Sequence, residues 1–192
     1  MQWSLSSENI DIAIICKEAA DKFLKEEGKR FENLGPLVEN SDVILVKNKP
    51  VEKIGVIQNR NYQKELAEKY YPGKETYPFI GTGIPYALEG NKVDAIVIDA
   101  FKAFKLDGEK IPTADKGDYQ TYVLVANKEF LKTDTFKEFV NLYNRSVEEI
   151  NEKEGYRKAL DSFLGRKIND SEWKEVESWK VKFLKIKNRN QQ

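Results

Sequence analysis

Short apolar runs alternate along this chain with segments in which apolar side chains recur at helical spacing. Each run is rich in β-branched residues and is bounded by Asp, Asn, Gly or Pro, which is typical of buried strands. The alternation predicts an α/β fold. The predicted strands cover residues 10–15, 41–47, 54–57, 75–80, 93–98 and 119–125.

Spacings of three and four between apolar residues predict the helices. The clearest pattern runs from residue 136 to residue 150, where Thr133 or Asp134 can cap the helix. Gly155 is expected to end that helix before a shorter one over residues 156–164. The other predicted helices cover residues 17–25, 62–71, 84–88, 100–106 and the segment that carries Trp173 to Phe183. Residues 31–37, with Gly35 and Pro36, are expected to form a loop.

Two segments share one strand pattern, which suggests two similar α/β sheets. In residues 10–15 and 93–98, a branched apolar residue precedes an Asp, and a hydrophobic run follows. Asp11 and Asp94 open these strands, so we expect structural hydrogen bonds from each to a neighbouring turn. The second sheet is expected to have about three strands. The first strand is expected to be a buried parallel strand.

Composition narrows the class of protein. The 192 residues are 40% hydrophobic and 11% aromatic, which excludes a disordered chain. Thirty-two basic residues balance thirty-two acidic ones, and Lys and Glu are mixed throughout. No nucleic-acid partner is therefore expected, because such partners favour a basic surface.

Histidine is absent, and this removes the usual general base and the usual zinc ligand. A single cysteine, Cys16, allows neither an internal disulfide nor a thiolate metal site. No catalytic residue, metal site or cofactor is therefore predicted. No apolar run approaches the length of a membrane span, and the first fifteen residues do not resemble a secretory signal.

The order of these parts resembles a known family. The motifs are I-D-I-A-I-I at 10–15, D-V-I-L-V-K at 42–47, I-G-V at 54–56, K-V-D-A-I-V-I-D at 92–99, Y-V-L-V-A-N at 122–127 and E-G-Y-R-K-A-L-D-S-F-L-G at 154–165. Together they look like the type II periplasmic-binding-protein fold. The likeness is greatest to the solute-binding components of ABC transporters in the nitrate, sulfonate and thiamine-precursor group, some of which are lipoproteins.

The resemblance implies two lobes with a ligand held in the cleft between them, and no enzymatic activity. Residues 1–48 and 119–192 would form the first lobe and residues 54–112 the second, with 49–53 and 113–118 as crossing segments. The first lobe would be incomplete at its N-terminal side. A fragment, or a short homologue whose homodimer completes the sheet, would explain this. The partners implied are a small-molecule ligand and a transporter permease, outside the cytoplasm.

Ligands of open α/β sheets bind at the carboxyl ends of strands, near helix N-termini. Asn59, Arg60 and Asn61 follow one predicted strand and would suit a carboxylate, sulfonate or phosphate, although the same residues also fit an ordinary helix cap. The overall charge balance does not identify the charge of the ligand, because the charge of a site is local.

Two further strand ends carry candidate ligand-binding residues. Thr82 and Gly83 could meet a ligand through the backbone, or form a plain turn. Asp99 could bind an amine or hydroxyl, or cap the next helix. Cys16 and Lys17 occupy the matching strand end of the first lobe, where Cys16 fits a small buried residue better than a nucleophile.

Two other functions stay open on the same fold. A ligand-sensing regulator would normally carry a basic helix-turn-helix, and none is found in these residues. An enzyme would have to rely on carboxylates or lysines. A third alternative is a degenerate member that binds no ligand and serves as an interaction surface.

Overall fold

The chain folds into two compact units in a computed structural model that describes residues 10–187. Unit 1 contains the described residues up to Glu39, then Gln120–Val176, then those from Lys182 onward. Unit 2 contains Asn40–Tyr119 together with the short segment Glu177–Val181. The chain therefore enters and leaves unit 2 twice.

Unit 1 is built on a four-stranded antiparallel sheet with the order β1-β8-β2-β9. The strands are β1 (Ile12–Cys16), β2 (Phe31–Glu39), β8 (Gln120–Asn127) and β9 (Lys182–Phe183). The helices of this unit are α1 (Lys17–Glu27), α5 (Asp134–Asn151), α6 (Lys153–Leu164) and α7 (Asp170–Ser178), the last of which ends in unit 2. Phe23 of α1 packs edge to face on Phe31 of β2, in a cluster that includes Val125 of β8. Leu124 of β8 alternates to the opposite face and packs in a second cluster with Val140 of α5, so apolar helix residues cover both faces.

Unit 2 is built on a five-stranded mixed sheet with the order β5-β4-β6-β3-β7. Strand β4 runs parallel to β5 and β6, whereas β3 runs antiparallel to β6 and β7. The strands are β3 (Asp42–Val46), β4 (Lys53–Ile57), β5 (Glu75–Phe79), β6 (Ala95–Asp99) and β7 (Glu109–Pro112). The helices are α2 (Asn61–Tyr70), α3 (Ile84–Glu89) and α4 (Ala100–Ala103). All residues of β3 and the first four of β6 are buried, as two central strands require.

Three local predictions are confirmed by the side chains concerned. Thr133 caps α5, because its hydroxyl oxygen accepts a hydrogen bond from the Phe136 amide. The carboxylate of Asp94 accepts hydrogen bonds from the backbone amides of Glu52 and Lys53, which is the predicted structural role. The long apolar stripe at residues 136–150 lies within a single helix, α5.

Several other predictions are wrong, for identifiable reasons. Residues 31–37 form part of β2, because Gly35 and Pro36 are accommodated by irregular register against β8. Strand β1 pairs antiparallel with β8, so the sheet of unit 1 is not a parallel α/β sheet. The sheet of unit 2 has five strands where about three were expected.

The end of α5 and the last predicted helix also differ from expectation. The break after α5 falls at Glu152, and Gly155 lies in the first turn of α6. A side chain at Gly155 would collide with the backbone of Glu149, so the glycine permits the two helices to approach closely. Helix α7 ends at Ser178, and the residues after it turn into β9.

The boundary between the units lies earlier than the sequence suggested. Residues 42–48 were assigned to the first lobe, but β3 pairs on both sides with strands of unit 2. Unit 2 therefore begins at Asn40. Its second segment, Glu177–Val181, was likewise assigned to the first lobe. Contacts with residues that are distant in sequence decide both assignments, and a local pattern does not reveal them.

No helix between residues 10 and 187 combines the length and the apolar character that a membrane crossing requires.

Candidate functional site

The carboxyl ends of three parallel strands define one edge of the sheet in unit 2. The turn after β4 carries Asn59 and Arg60, the loop after β5 carries Thr82, and β6 ends at Asp99. Five of the predicted site residues follow β4 or β5, and Asp99 is the last residue of β6, so these six lie at strand ends that share one edge: Asn59, Arg60, Asn61, Thr82, Gly83 and Asp99. Open α/β sheets bind ligands at this edge.

The turn between β4 and α2 brings a guanidinium to this edge. Asn59 has a left-handed backbone conformation, with a φ of 65°, which an Asn tolerates better than most residues. Arg60 precedes the first helical residue, Asn61, and no side chain caps the helix there. Neither Asn59 nor Asn61 therefore caps α2, which was the alternative role for these residues. Asn59 and Asn61 are exposed, whereas Arg60 is half-buried.

A buried carboxylate lies beneath this turn. Asp42 is the first residue of β3 and is fully buried, and its Cα is the cross-strand partner of Asp99. Its Oδ2 atom accepts hydrogen bonds from Tyr62 Oη at 2.8 Å and from Gln63 Nε2 at 2.7 Å. Its Oδ1 atom is buried without a hydrogen-bond partner among the described residues. A buried carboxylate is costly, so this one must be stabilised by the groups around it.

Tyr62 and Gln63 connect the buried carboxylate to the turn. Arg60 Nη1 donates to Tyr62 Oη at 3.2 Å, and Tyr62 Oη in turn donates to Asp42. Gln63 Oε1 accepts from the backbone amide of Ile57, the last residue of β4, at 2.7 Å. The start of α2 and the end of β4 are thus both linked to Asp42.

The main chain of Asp42 is held by two further side chains. Its amide donates to Tyr119 Oη at 3.1 Å, and its carbonyl oxygen accepts from Thr113 Oγ1 at 2.6 Å. The Tyr119 ring stacks on the Tyr62 ring, with 5.7 Å between centroids. Aromatic stacking and hydrogen bonds together restrict the position of the Tyr62 hydroxyl.

Burial determines the protonation behaviour of these groups. Desolvation raises the pKa of Asp42, and the bond from Gln63 together with the charge of Arg60 opposes this rise. The pKa of Asp99 is also raised, first by burial and then by the negative charge of Asp42. Burial and the Asp42 charge raise the pKa of the Tyr119 hydroxyl above its usual value. Two neighbouring carboxyls therefore hold protons more tightly than they would in water.

Asp99 caps the helix that follows it. Its Oδ1 atom accepts hydrogen bonds from the amides of Phe101 at 3.1 Å and Lys102 at 3.3 Å. The capping alternative is therefore the one that the structure contains. Capping occupies one carboxylate oxygen, and Asp99 remains partly exposed.

Thr82 and Gly83 lie beside the outer strand β5. Thr82 is exposed, and Gly83 immediately precedes α3 with its amide bonded to the Ile80 carbonyl. Gly83 has a φ of −92°, which any residue can adopt, so the turn does not depend on a glycine-only conformation. A turn is thus present, and contact with a ligand stays a prediction.

Cys16 and Lys17 belong to unit 1, whereas the other candidate residues belong to unit 2. Cys16 is a free, partly buried thiol at the end of β1. Lys17 forms an ion pair with Asp21 at 2.9 Å, and the hydrogen bond to Asp21 raises its pKa. The prediction for both residues relied on a parallel sheet. Because β1 is antiparallel to β8, that argument fails for them.

The sequence interpretation missed the buried part of the site. Asp42, Thr113 and Tyr119 received no role, although Asp42 precedes a hydrophobic run as Asp11 and Asp94 do. That repeated pattern was the available signal. Within residues 10–187, no group of three or more Cys, Asp or Glu side chains is arranged to hold a metal ion.

No protein-family model and no curated protein sequence matches this chain. Solved structures do match. The ligand-binding component of an ABC-type import system from Staphylococcus aureus, with zinc bound, has a TM-score of 0.69 at 19% identity, covering 95% of this chain and 70% of its own. The alkanesulfonate-binding protein from Xanthomonas axonopodis pv. citri, bound to MOPS, has a TM-score of 0.59 at 12% identity, covering 91% and 68%.

A periplasmic substrate-binding protein of an ABC transporter from Coxiella burnetii also matches, with a TM-score of 0.55 at 13% identity, covering 73% of both chains. At these identities the likeness concerns the fold. It agrees with the α/β architecture expected from the sequence motifs. The chain has the periplasmic-binding-protein-like fold of ABC-type solute-binding proteins.

Proposed function

We propose that this chain binds a small solute as the binding component of an ABC-type import system. One observation carries the proposal, namely the likeness to the Staphylococcus aureus ligand-binding component over 95% of the chain. Fold alone does not determine function, so the site must supply the rest of the argument.

The proposed contact site is the turn between β4 and α2. Arg60 offers a planar guanidinium that can bind a carboxylate, sulfonate or phosphate through two hydrogen bonds. Asn59 and Asn61 flank it and are exposed, and the turn stands at the N-terminus of α2, where the helix dipole favours an anion. These features support a ligand with an anionic group.

A sulfonate or a similar oxyanion is the ligand class that we favour. The guanidinium of Arg60 supports it, and one protein of similar fold binds alkanesulfonates. Asp99 ends β6, and Thr82 and Gly83 follow β5. These strands end at the same edge, and the three residues are proposed to contact the rest of the solute. The partly exposed Asp99 carboxylate suits an amine or a hydroxyl.

The proposed role also implies a partner and a place. A solute-binding component delivers its ligand to a transporter permease, so the chain would act outside the cytoplasm. Both statements depend on the proposed transport role, and identifying the solute tests that role first.

Native mass spectrometry of freshly purified protein tests the proposal. We expect ions that carry a small-molecule mass, which denaturation releases for identification. A panel of sulfonates, carboxylates and phosphate should then raise the melting temperature. At a concentration of 100 times Kd, binding stabilises the folded state by about 2.7 kcal/mol, or roughly 5–10 °C for a chain of this size.

The variant Arg60→Ala tests whether Arg60 contacts the solute. Losing a charge-assisted hydrogen bond should weaken binding about ten- to a hundredfold. Arg30→Ala is the matched control, because Arg30 is an exposed arginine of unit 1 with a long ion pair to Glu27. Bare ions together with unchanged melting temperatures across the panel would overturn the proposal, and equal affinities of both variants would move the contact away from Arg60.

A further inference from the structure

Asp42 makes more contacts than a strand residue needs. Its backbone already pairs with Asp99 of β6, and its amide and carbonyl are held by Tyr119 and Thr113. Its side chain is nevertheless a fully buried carboxylate next to a second carboxyl, Asp99. An apolar residue would avoid the desolvation cost of this arrangement. The contacts of the carboxylate indicate what it contributes instead.

The carboxylate holds both ends of the turn that carries Arg60. Gln63 reaches from α2 to Asp42 with its amide nitrogen and to the Ile57 amide with its oxygen, which fixes the end of β4. Tyr62 reaches from the same helical turn to Asp42, and its hydroxyl accepts a hydrogen bond from Arg60. Two adjacent residues of one helix thus connect a single carboxylate to the start and the end of the turn.

Charge adds to this geometry. The half-buried Arg60 guanidinium and the buried Asp42 carboxylate attract each other across the Tyr62 hydroxyl, with less screening than in water. A hydroxyl that donates to a carboxylate is polarised and becomes a better acceptor for the guanidinium. The chain Arg60–Tyr62–Asp42 is therefore directional, with each donor facing an acceptor.

We infer that Asp42 is a buried positioning residue that orients the Arg60 guanidinium at the sheet edge through the Tyr62 hydroxyl. The inference rests on the proposed function for its consequence, since orientation of Arg60 affects affinity only where Arg60 contacts the solute. The orientation itself is a property of the protein without ligand. It can therefore be measured separately.

Tyr62→Phe is the decisive variant. It removes the hydroxyl that joins Arg60 to Asp42 and keeps the ring that stacks on Tyr119. In the uniformly ¹⁵N-labelled full chain, we measure the order parameter of the Arg60 Nε–H by nuclear magnetic resonance relaxation. We expect a rigid side chain in the wild type and a value below about 0.6, typical of flexible groups, in the variant.

Tyr77→Phe is the matched control. The Tyr77 hydroxyl also donates to a carboxylate, that of Glu75, but on the outer strand β5. This variant should leave the Arg60 order parameter unchanged. An equal Arg60 order parameter in wild type and Tyr62→Phe would overturn the inference, because a purely structural role of Tyr62 predicts lower stability without a change at Arg60.

Asp42→Asn tests the carboxylate itself. The amide oxygen can still accept from Tyr62 and Gln63, while its nitrogen takes the position of the unpartnered Oδ1. The shape is preserved and the charge is lost, and charge-assisted bonds are about twice as strong as neutral ones. We expect an Arg60 order parameter between those of the wild type and Tyr62→Phe. A value equal to the wild type would contradict the role assigned to Asp42.

Titration with sodium sulfate separates this inference from the proposed function. Backbone amide shifts at residues 59–61 report sulfate binding at the turn, and we expect a Kd several-fold weaker in Tyr62→Phe than in the wild type. If sulfate shifts none of these amides while Tyr62→Phe still loosens Arg60, the proposed anion contact fails and the positioning role stands. Equal sulfate Kd values in the two proteins, with Arg60 loosened, would overturn the link to binding.

Discussion

Replacing Trp179 by alanine is expected to destabilise unit 2 selectively. Trp179 lies in the segment Glu177–Val181, and its side chain is fully buried. The indole packs edge to face against Phe101 and Phe104, the residues in and after α4, with centroids 6.3 and 5.9 Å away. Trp179 thus contributes to the core of a unit whose main segment, Asn40–Tyr119, lies much earlier in the chain.

The magnitude follows from two opposing contributions. Truncating a buried tryptophan to alanine costs about 3–5 kcal/mol through lost apolar contacts and a residual cavity. The indole Nε1 is buried without a hydrogen-bond partner among the described residues, so its removal recovers roughly 1 kcal/mol of desolvation cost. We therefore expect a net loss of about 2–4 kcal/mol. At roughly 2–4 °C per kcal/mol, the melting temperature should fall by about 4–16 °C.

Hydrogen exchange measured by mass spectrometry locates the loss. In Trp179→Ala, peptides from Asn40–Tyr119 should exchange faster, while peptides of unit 1 keep their protection. Trp173→Ala is the matched control, because Trp173 is buried in unit 1 and packs on Tyr156. In Trp173→Ala, peptides of unit 1 should exchange faster, while peptides from Asn40–Tyr119 keep their protection.

Trp179→Phe refines the test. Phenylalanine keeps an aromatic edge for Phe101 and Phe104 and removes the unbonded N–H, so we expect a loss of about 1 kcal/mol or less. Faster exchange confined to unit 1 in Trp179→Ala, or a loss below about 1 kcal/mol, would refute the reasoning from burial.

Two further predictions concern carboxylates of unit 2. Burial raises the pKa of Asp42 in the folded chain above its unfolded value of about 3.9. The folded state therefore binds this proton more tightly than the unfolded state does. The resulting stabilisation is fully present below about pH 4 and is lost as pH rises through the folded pKa. The free energy of unfolding of the wild type should therefore fall relative to Asp42→Asn as pH rises above about 4, and parallel urea-denaturation profiles of the two proteins from pH 4 to pH 8 would contradict this. Asp94→Ala removes the acceptor of the Glu52 and Lys53 amides and should cost about 1–2 kcal/mol, with faster exchange of the Lys53 amide. Asp94→Asn keeps one acceptor oxygen and should cost less, so equal losses in the two variants would indicate a different role for Asp94.

Local signals sufficed for the elements whose cause is local. The helix cap at Thr133 and the amphipathic stripe of α5 depend on residues within a few positions of each other, and both are found where the sequence placed them. The structural role of Asp94 also followed from its position before a strand, although its partners, the amides of Glu52 and Lys53, are distant in sequence. Each of these features could be inferred without knowing the rest of the chain.

Part of the candidate site was also accessible from the sequence. Arg60, Thr82 and Asp99 follow predicted strands, and the rule that parallel strands end together predicted that they share an edge. The same rule failed for Cys16, because nothing local in β1 shows that its partner β8 runs antiparallel. Strand direction depends on connections that span more than a hundred residues.

The sequence by itself determined the α/β class, most of the helices and strands, and the candidate residues at the ends of β4 and β6. Only the tertiary structure decided that β3 belongs to unit 2 and that Trp179 packs there as well. It also brought Asp42 under the turn of Arg60, with Tyr62 between them. The physical reason is that capping and periodicity act over a few residues, whereas strand pairing and burial select partners from the whole chain.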